Sequence, residues 1–180
     1  MNVIDALHAR RSYRALQKND ISDVIVDELA TAAHSAPSCF NNQPWRYIFI
    51  RNEKILSALQ PVYSRGNEWA YNASMIIAVL SKKDLDCTIA DRVYYQFDTG
   101  ISVGILMLRA VELGLVTHAI AGFNVSQAKE ILDIPQDFEL ITLIIVGKKG
   151  DPDNSNLSNE QKSIEQAPSE RNPLHTICAF

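Results

Sequence analysis

The chain has 180 residues, 47% hydrophobic and 21% charged, so it is long enough for one domain with a buried core and too apolar to be disordered as a whole. Its formal net charge of −4 argues against a general affinity for nucleic acid, because such affinity normally needs a basic surface. No apolar run reaches the roughly 18 residues of a membrane span, so we expect a single domain over residues 1–180 and no membrane insertion.

The first part of the sequence predicts two helices, a loop and a strand. Asn2 can cap a helix over residues 3–11, and the arginine-rich stretch RRSYR falls at the C-terminal end of that helix. Ser22 can cap a second helix, SDVIVDELATAAHSA, which ends near Pro37 because the residue before a proline avoids helical geometry. The loop APSCFNNQPW then leads directly into a predicted strand, RYIFIRN.

The middle of the sequence alternates predicted helices and strands. Residues 54–59 favour a short helix, and MIIAVLSK is typical of a strand that is buried on both faces. Residues 91–114 predict the longest helix, which is apolar almost all round and should therefore be buried in a core or between subunits. HAIAGF predicts a short strand, and SQAKEILDI predicts a helix that Ser126 caps and Pro135 ends, before a last strand, ELITLIIVG.

Beyond the last predicted strand the composition changes. Residues 148–169 are rich in Asp, Asn, Ser and Gln and predict a polar arm or mobile loop rather than a second domain. The final RNPLHTICAF is apolar again, so we expect it to dock on another surface. Helices and strands mixed around one sheet predict an α+β or α/β fold.

Cysteine and histidine usage indicates no metal chemistry. The three cysteines, Cys39, Cys87 and Cys178, are odd in number and form no C-x-x-C pair, which predicts neither a disulfide framework nor a zinc site. The four histidines show no spacing typical of metal ligands. The opening MNVIDALHARR lacks a signal-peptide pattern, so we expect a reducing, cytoplasmic location. Neither G-x-G-x-x-G nor the phosphate loop G-x-x-x-x-G-K-[ST] occurs.

The stretch RRSYR places three arginines within five residues. The planar guanidinium groups of Arg10 and Arg14 match the geometry of a phosphate, and the Ser12 hydroxyl could add a further hydrogen bond. Cations are also favoured at a helix C-terminus, so a solvated helix end explains the same residues. These five residues leave both interpretations open.

The loop PSCFNNQPW is the second candidate binding segment. Asn41, Asn42 and Gln43 each offer a donor and an acceptor, which suits recognition of a heterocycle that carries both kinds of group. Asn, Ser and Pro also favour ordinary turns, so the loop alone is equally consistent with a capped turn.

Taken together, these motifs resemble the signature of the nitroreductase-like flavoprotein family. That family typically opens with R-[RX]-S-x-R, followed by P-S-x-x-N-x-Q-P-W before a strand, as RRSYR and PSCFNNQPW do here. DTGISVGILMLRAVELGL resembles the family's long central helix, HAIAGF resembles the strand and turn beside the flavin ring, and SERNPLH resembles its C-terminal basic motif. The resemblance spans nearly the whole chain.

The resemblance implies a fold, an activity and an assembly. The fold would be a three-layer α+β arrangement in which helices flank a central, mostly antiparallel sheet. The activity would be that of an FMN-dependent oxidoreductase, which transfers hydride from NADH or NADPH through flavin N5 to nitroaromatics, quinones or similar electron-poor acceptors. The assembly would be an intertwined homodimer with FMN at the subunit interface.

The resemblance also implies how the phosphate of FMN is held. Arg10, Ser12 and Arg14 would bind the phosphate and nearby groups of the cofactor, and Arg11 is a weaker candidate. Arg171 would add a second clamp from the C-terminal motif.

The ring of the cofactor would meet two other segments. Backbone N–H groups near Ala121 and Gly122 would point at flavin N5. A loop would reach an FMN that is held mainly by the other subunit, through Pro37, Ser38, Cys39, Asn41 and Gln43.

The chain departs from the family pattern in three places. Ala121 stands where many relatives have an acidic residue, and Ser169 stands where relatives often have a lysine. The segment from Trp69 to Arg92 is short, so we expect a reduced cover over the active site. The alternatives are a specialised flavin dehydrogenase or dehalogenase of the same superfamily, and a non-enzymatic phosphate-binding module.

Overall fold

The secondary structure comes from a computed structural model that describes residues 1–154, 156–167 and 170–178. The helices of this part of the chain are α1 (Val3–Ala9), α2 (Asp23–His34), α3 (Glu53–Leu59), α4 (Tyr95–Glu112), α5 (Val125–Ile131) and α6 (Asn159–Gln166). The strands are β1 (Leu16–Gln17), β2 (Arg46–Ile50), β3 (Met75–Ser81), β4 (Thr88–Ile89), β5 (Arg92–Val93), β6 (Val116–Ile120) and β7 (Glu139–Lys149).

The central sheet is antiparallel and is organised around β7. This strand pairs with β3 along most of its length, with β6, and at its C-terminal end with β1, and β3 pairs in turn with β2. Every residue of β3 is buried, as its continuous apolar run predicts. Strands β4 and β5 form a separate two-stranded hairpin.

Helices cover both faces of the sheet and give the predicted three-layer α+β fold. On one face, α2 and α4 pack through Leu29 and Leu106 against β3 and β7. On the other, α3 and α5 and the 3-10 turn that carries Trp69 pack on the alternate side chains of the same strands. Because successive strand residues point to opposite faces, one apolar strand supplies both halves of the core.

Side-chain caps fix most helix starts where the sequence predicts them. The side chains of Asn2 and Ser22 accept backbone N–H groups at the starts of α1 and α2. The prediction that Ser126 caps α5 is wrong, because the N-cap is Asn124, two residues earlier, whose Oδ1 accepts the Gln127 N–H at 3.1 Å.

Helix α4 is shorter than predicted and is buried on one face only. Residues 88–93 pair as the β4–β5 hairpin, so α4 begins at Tyr95 rather than at residue 91. Phe97 on the opposite face is 64% exposed, and Cβ atoms added at Gly100 and Gly104 would meet no atom within 4 Å. The chain's own core therefore leaves an apolar face of α4 uncovered.

The described parts of residues 148–169, for which the sequence predicts a polar arm or mobile loop, include regular secondary structure. Lys148 and Lys149 extend β7, and Ser158 starts α6 through a capping box with Gln161. Helix α6 returns to the residues that follow α1. The C-terminal residues 170–178 are exposed, so the predicted docking of RNPLHTICAF does not occur within the described part of the chain. Ser169 lies outside the described residues.

A disulfide joins Cys39 to Cys87, which the cysteine count and spacing did not predict. The two residues are 48 positions apart, and β2 and β3 bring their loops together with a Cα–Cα distance of 6.2 Å. Cys178 is a free, exposed thiol. None of the helices within the described ranges is long and apolar enough to cross a membrane.

Candidate functional site

The residues of RRSYR line a basic cavity of about 260 Å³ beside the end of α1. The helix stops at Ala9 because Arg10 takes an extended conformation, and the chain then runs past the cavity towards β1. Four guanidinium groups reach this cavity from two segments that are far apart in sequence. Its lining consists of Arg10, Arg11, Ser12, Tyr13, Arg14, His118, Ile164, Glu165 and Arg171.

Two of the arginines, Arg11 and Arg10, make different contacts. Arg11 Nη2 donates to the carbonyl oxygens of Ile164 and Ala167 at 3.2 and 2.5 Å, so this side chain fastens the C-terminal end of α6. Arg10 Nη1 lies 3.4 Å from the Ser12 hydroxyl oxygen. This contact places two of the predicted phosphate-binding residues side by side.

Glu165 is an acidic residue in this basic cavity that the sequence analysis missed. Its side chain is 6% exposed, and its carboxylate accepts the backbone N–H groups of Arg14 at 2.8 Å and Ala15 at 3.3 Å. The Glu165 carboxylate is thus hydrogen-bonded to the backbone of the segment that forms the cavity wall. The capping box of α6 is a local sequence signal for the helix. The contact of Glu165 with Arg14, in contrast, joins residues 151 positions apart.

His118 lies on β6 at the inner wall of the cavity and is also absent from the predicted site. Its Nδ1 is 3.3 Å from the Tyr13 carbonyl oxygen and therefore carries the proton, and its ring lies 4.6 Å from that of Trp69. Burial, together with the charges of Arg14 and Arg10, lowers the pKa of His118 to about 4 and outweighs the opposing hydrogen bonds to the backbone of Tyr13 and Ser12. The imidazole is neutral at neutral pH.

The loop PSCFNNQPW forms a separate site that does not line the basic cavity. Three of its non-glycine residues, Phe40, Asn41 and Gln43, have positive φ angles of 49°, 59° and 51°. The Gln43 N–H donates to Ser38 Oγ at 2.9 Å, and Gln43 Nε2 donates to the Asn41 carbonyl oxygen at 3.0 Å. These contacts hold a backbone shape that non-glycine residues rarely adopt.

The same loop is tied to two carboxylates. The Cys39 N–H donates to Asp98 Oδ2 at 2.6 Å, and Asn42 Nδ2 donates to Asp86 Oδ1 at 3.2 Å. Burial of Asp98, which is 3% exposed, raises its pKa, and the nearby Asp86 raises it further while the Cys39 N–H opposes the shift. Because the Cys39 sulfur is bonded to Cys87, a nucleophilic role for a free Cys39 thiol is excluded in this state.

Ala121 and Gly122 follow β6 and are held against a third loop. The Gly122 carbonyl oxygen accepts the Ser64 N–H at 2.9 Å and Asn67 Nδ2 at 3.0 Å. A Cβ on Gly122 would lie 2.7 Å from Asn67 Nδ2, so a residue with a side chain here would displace the Asn67 amide. The predicted site residues thus form three clusters within one chain: the basic cavity, the loop at 37–43 and the turn at 121–122.

Comparison with known proteins assigns the fold and the motifs to one family. The family model described as the nitroreductase family matches residues 7–68 and 61–148. A relative from Archaeoglobus fulgidus, with a provisional name as an NADH dehydrogenase or NAD(P)H nitroreductase, is 27% identical over 146 residues, which cover 78% of this chain and 82% of that protein.

Solved structures agree with that assignment. An oxidoreductase described as containing FMN is 27% identical, with a TM-score of 0.85 over 97% of this chain and 89% of its own. A nitroreductase family protein from Clostridium difficile 630 is 25% identical, with a TM-score of 0.80 over 100% of this chain and 98% of its own. The fold, the motifs and the match over most of its length show that this chain belongs to the nitroreductase family.

Proposed function

We propose that the protein is an FMN-dependent oxidoreductase that uses NADH or NADPH to reduce small electron-poor acceptors such as nitroaromatics or quinones. The observation that carries this proposal is the basic cavity, where Arg10, Ser12, Arg14 and Arg171 converge. The names of similar proteins, an oxidoreductase containing FMN and an NAD(P)H nitroreductase, support the same cofactor and donor.

The donor set of the cavity fits the phosphate of FMN. A guanidinium group can bind two phosphate oxygens at once, and each charge-assisted hydrogen bond contributes about 1.5–3 kcal/mol. Glu165 does not cancel this attraction, because four guanidinium groups line the cavity against its single carboxylate. Arg11 supports the site indirectly, since its guanidinium holds α6 in place.

FMN would supply the hydride chemistry, which explains why the site needs no nucleophile or catalytic acid pair. The chain's own residues would position the ring and stabilise charge on it. The backbone N–H groups at Ala121 and Gly122 are the candidate donors beside flavin N5. Since Gly122 has no side chain, the loop of Ser64 and Asn67 can pack against it and fix the orientation of this turn.

A homodimer would bring the remaining cluster to the cofactor. Pro37, Ser38, Cys39, Asn41 and Gln43 of a second copy would complete the site, since the same loop does not line the basic cavity of its own chain. Exposed apolar side chains on α1 and α4 support a subunit contact there. The large ones among them are Val3, Ile4, Leu7 and Phe97.

The absorption spectrum of the purified protein, before and after anaerobic addition of NADH or NADPH, tests the proposal. We expect a visible flavin band that bleaches with the nicotinamide donor and returns on addition of a nitroaromatic or a quinone. The absence of a flavin band after incubation with excess FMN would leave the basic cavity as a binding site for some other phosphate compound.

The arginines of the cavity can be tested separately from the fold. We predict that Arg14→Ala raises the dissociation constant of FMN by about tenfold or more, because a charge-assisted contact is lost. Lys54→Ala, which removes one exposed positive charge on α3, is the matched control and should leave FMN affinity unchanged. Equal affinities in both variants would remove the basic cavity from the cofactor site.

A further inference from the structure

The disulfide Cys39–Cys87 connects the loop PSCFNNQPW to the β4–β5 hairpin. Both cysteines are half-buried. The two sulfur atoms and a carboxylate oxygen of Asp86 all lie within 4.8 Å of one another. We call Cys39–Cys87 the cross-link, residues 38–43 the loop, and residues 83–94 the hairpin segment.

Besides the cross-link, hydrogen bonds through Asp86 connect the hairpin segment to the loop. Asn42 Nδ2 of the loop donates to Asp86 Oδ1 of the hairpin segment at 3.2 Å, and Asp98, which accepts the Cys39 N–H, also hydrogen-bonds Asp86. The two-residue strands β4 and β5 are exposed, and an isolated two-stranded hairpin is only marginally stable in water. The cross-link is therefore the covalent tie between this exposed hairpin and the loop.

The loop itself has a backbone that needs external support. Phe40, Asn41 and Gln43 lie in the left-handed region, and the Phe40 side chain is 81% exposed, so packing contributes little to hold it there. Conformations of this kind persist only where surrounding contacts over-determine them. The cross-link and the hydrogen bond from the Cys39 N–H to Asp98 are two such contacts.

We propose that Cys39 and Cys87 are a reversible thiol–disulfide site whose reduction releases the loop and the hairpin segment from each other. A thiolate of a dithiol reductant attacks one cysteine sulfur, forms a mixed disulfide and expels the other cysteine as a thiolate, which takes up a proton. The second thiol of the reductant then displaces the remaining cysteine. The protein gains two electrons and two protons, and the reductant becomes a disulfide.

The carboxylates beside the cross-link set the preferred state and the preferred reductant. Asp86 adjoins both sulfur atoms, and Asp98 lies on the other side of the Cys39 N–H. Negative charge at this distance disfavours the thiolates that reduction produces and leaves the uncharged disulfide unaffected. An uncharged dithiol should therefore reduce the cross-link faster than a monothiol that carries a net negative charge.

Release of the loop has a consequence that rests on the proposed function. Ser38, Cys39, Asn41 and Gln43 are the residues that would contact FMN from a second copy of the chain. Reduction of the cross-link would then weaken FMN retention without altering the basic cavity. The redox state of one cysteine pair would set how firmly the enzyme holds its cofactor.

The experiment uses the full chain with Cys178→Ser, so that the labelled cysteines belong only to the cross-link. Air-equilibrated protein is unfolded and alkylated before and after treatment with dithiothreitol, and the mass shift counts the thiols. Hydrogen exchange of peptides from the loop and the hairpin segment is measured in both states. We expect label only after reduction, and exchange of both segments that is faster by about tenfold.

The double variant Cys39→Ser/Cys87→Ser is the matched control. Its exchange should equal that of the reduced protein and should not respond to dithiothreitol. Labelled thiols before any reduction, or equal exchange in the oxidised and reduced states, would overturn the proposal.

FMN affinity in the two redox states separates the proposal from the proposed function. Weaker FMN binding on reduction supports the link to the cofactor, and unchanged affinity in a protein whose exchange has increased overturns that link. No FMN binding in either state overturns the proposed function, while the exchange measurement still decides whether the cross-link controls the loop.

Discussion

His118 forms part of the wall of the basic cavity as a neutral side chain. The imidazole is buried between Trp69 and the chain that follows α1, where two nearby arginines oppose its protonation. A lysine or a charged histidine at this place would repel those arginines. The cavity therefore combines four guanidinium groups with a neutral inner wall.

This arrangement predicts a pH dependence of stability. Between about pH 6.5 and pH 4, the unfolded chain binds a proton at residue 118 that the folded protein excludes, so stability falls as the pH drops through that window. The loss attributable to this residue is at most about 3 kcal/mol. Urea unfolding at pH 7 and pH 4.5 should show a smaller loss for His118→Asn than for the parent protein.

The exposed His8 offers the control for this measurement. His8→Asn should lose the same free energy of unfolding as the parent protein over that pH range. An identical loss in His118→Asn would contradict the burial of a neutral imidazole.

Gly122 is a second residue whose role follows from local geometry. In Gly122→Ala the new Cβ meets Asn67 Nδ2, so we expect the Asn67 amide to move and its hydrogen bonds to the Gly122 carbonyl and to Trp69 to weaken. The expected loss of stability is about 1–2 kcal/mol, measured by urea unfolding. The double variant Gly122→Ala/Asn67→Ala should lose less than the sum of the single variants, because the clash is already absent. Additive losses would show that this contact is not the cause.

At the scale of elements, the local patterns predicted those parts of the fold that depend on neighbouring residues. The cap at Ser22 and the apolar run of β3 needed no knowledge of distant contacts. The start of α5 was misjudged because Ser126 and Asn124 are both good caps, and the hydrogen bond of Asn124 decides between them. The bond between Cys39 and Cys87 depends on the packing of separate loops and could not be read from spacing.

The candidate site likewise contains residues that the local sequence indicates and residues that only distant contacts bring in. The arginines of RRSYR share one cavity because they are neighbours in the chain, and the sequence indicated them directly. Arg171 could be named only through the resemblance to the nitroreductase-like family. Glu165 and His118 reach the cavity through contacts across 151 and 105 positions, for which the local sequence carries no signal.

Helix α6 gives a prediction at this scale, since Glu165 and Arg11 hold it beside the cavity. Glu165→Gln replaces the acceptor of two backbone N–H groups by a weaker, neutral one, so local opening of α6 should become easier by about 1–2 kcal/mol. Hydrogen exchange of the α6 peptides measures this change. Glu160→Gln, on an exposed position of the same helix, should leave their exchange unchanged. Equal exchange in the two variants would mean that Glu165 does not anchor α6.

For the whole molecule, the uncovered face of α4 bears on assembly. A long helix that packs on one side of its own sheet and leaves Phe97 exposed has a second apolar surface to bury. The open space beside Gly100 and Gly104 allows another helix to come close. These features support the proposed homodimer, in which each cofactor site draws on both copies.

Charge placed on this face should separate the subunits. We predict that Phe97→Asp raises the dimer dissociation constant by at least about tenfold and lowers FMN content, because a buried carboxylate disfavours the contact. Sedimentation velocity over a concentration series measures the first effect, and the visible spectrum measures the second. Val125→Asp alters an exposed apolar residue at the start of α5 and should change neither. A monomer that retains stoichiometric FMN would contradict the shared site.

The position of β7 has a consequence for how the chain folds as it is synthesised. β3 pairs with β2 along one edge and with β7 along the other. Strands β6 and β1 also pair with β7. Until residues 139–149 leave the ribosome, the nascent chain therefore carries an apolar strand with an open edge, which is the kind of surface that aggregates or recruits chaperones. Productive folding must wait for residues 139–149, so synthesis interrupted before β7 should yield a chaperone-bound or degraded product rather than a partial enzyme.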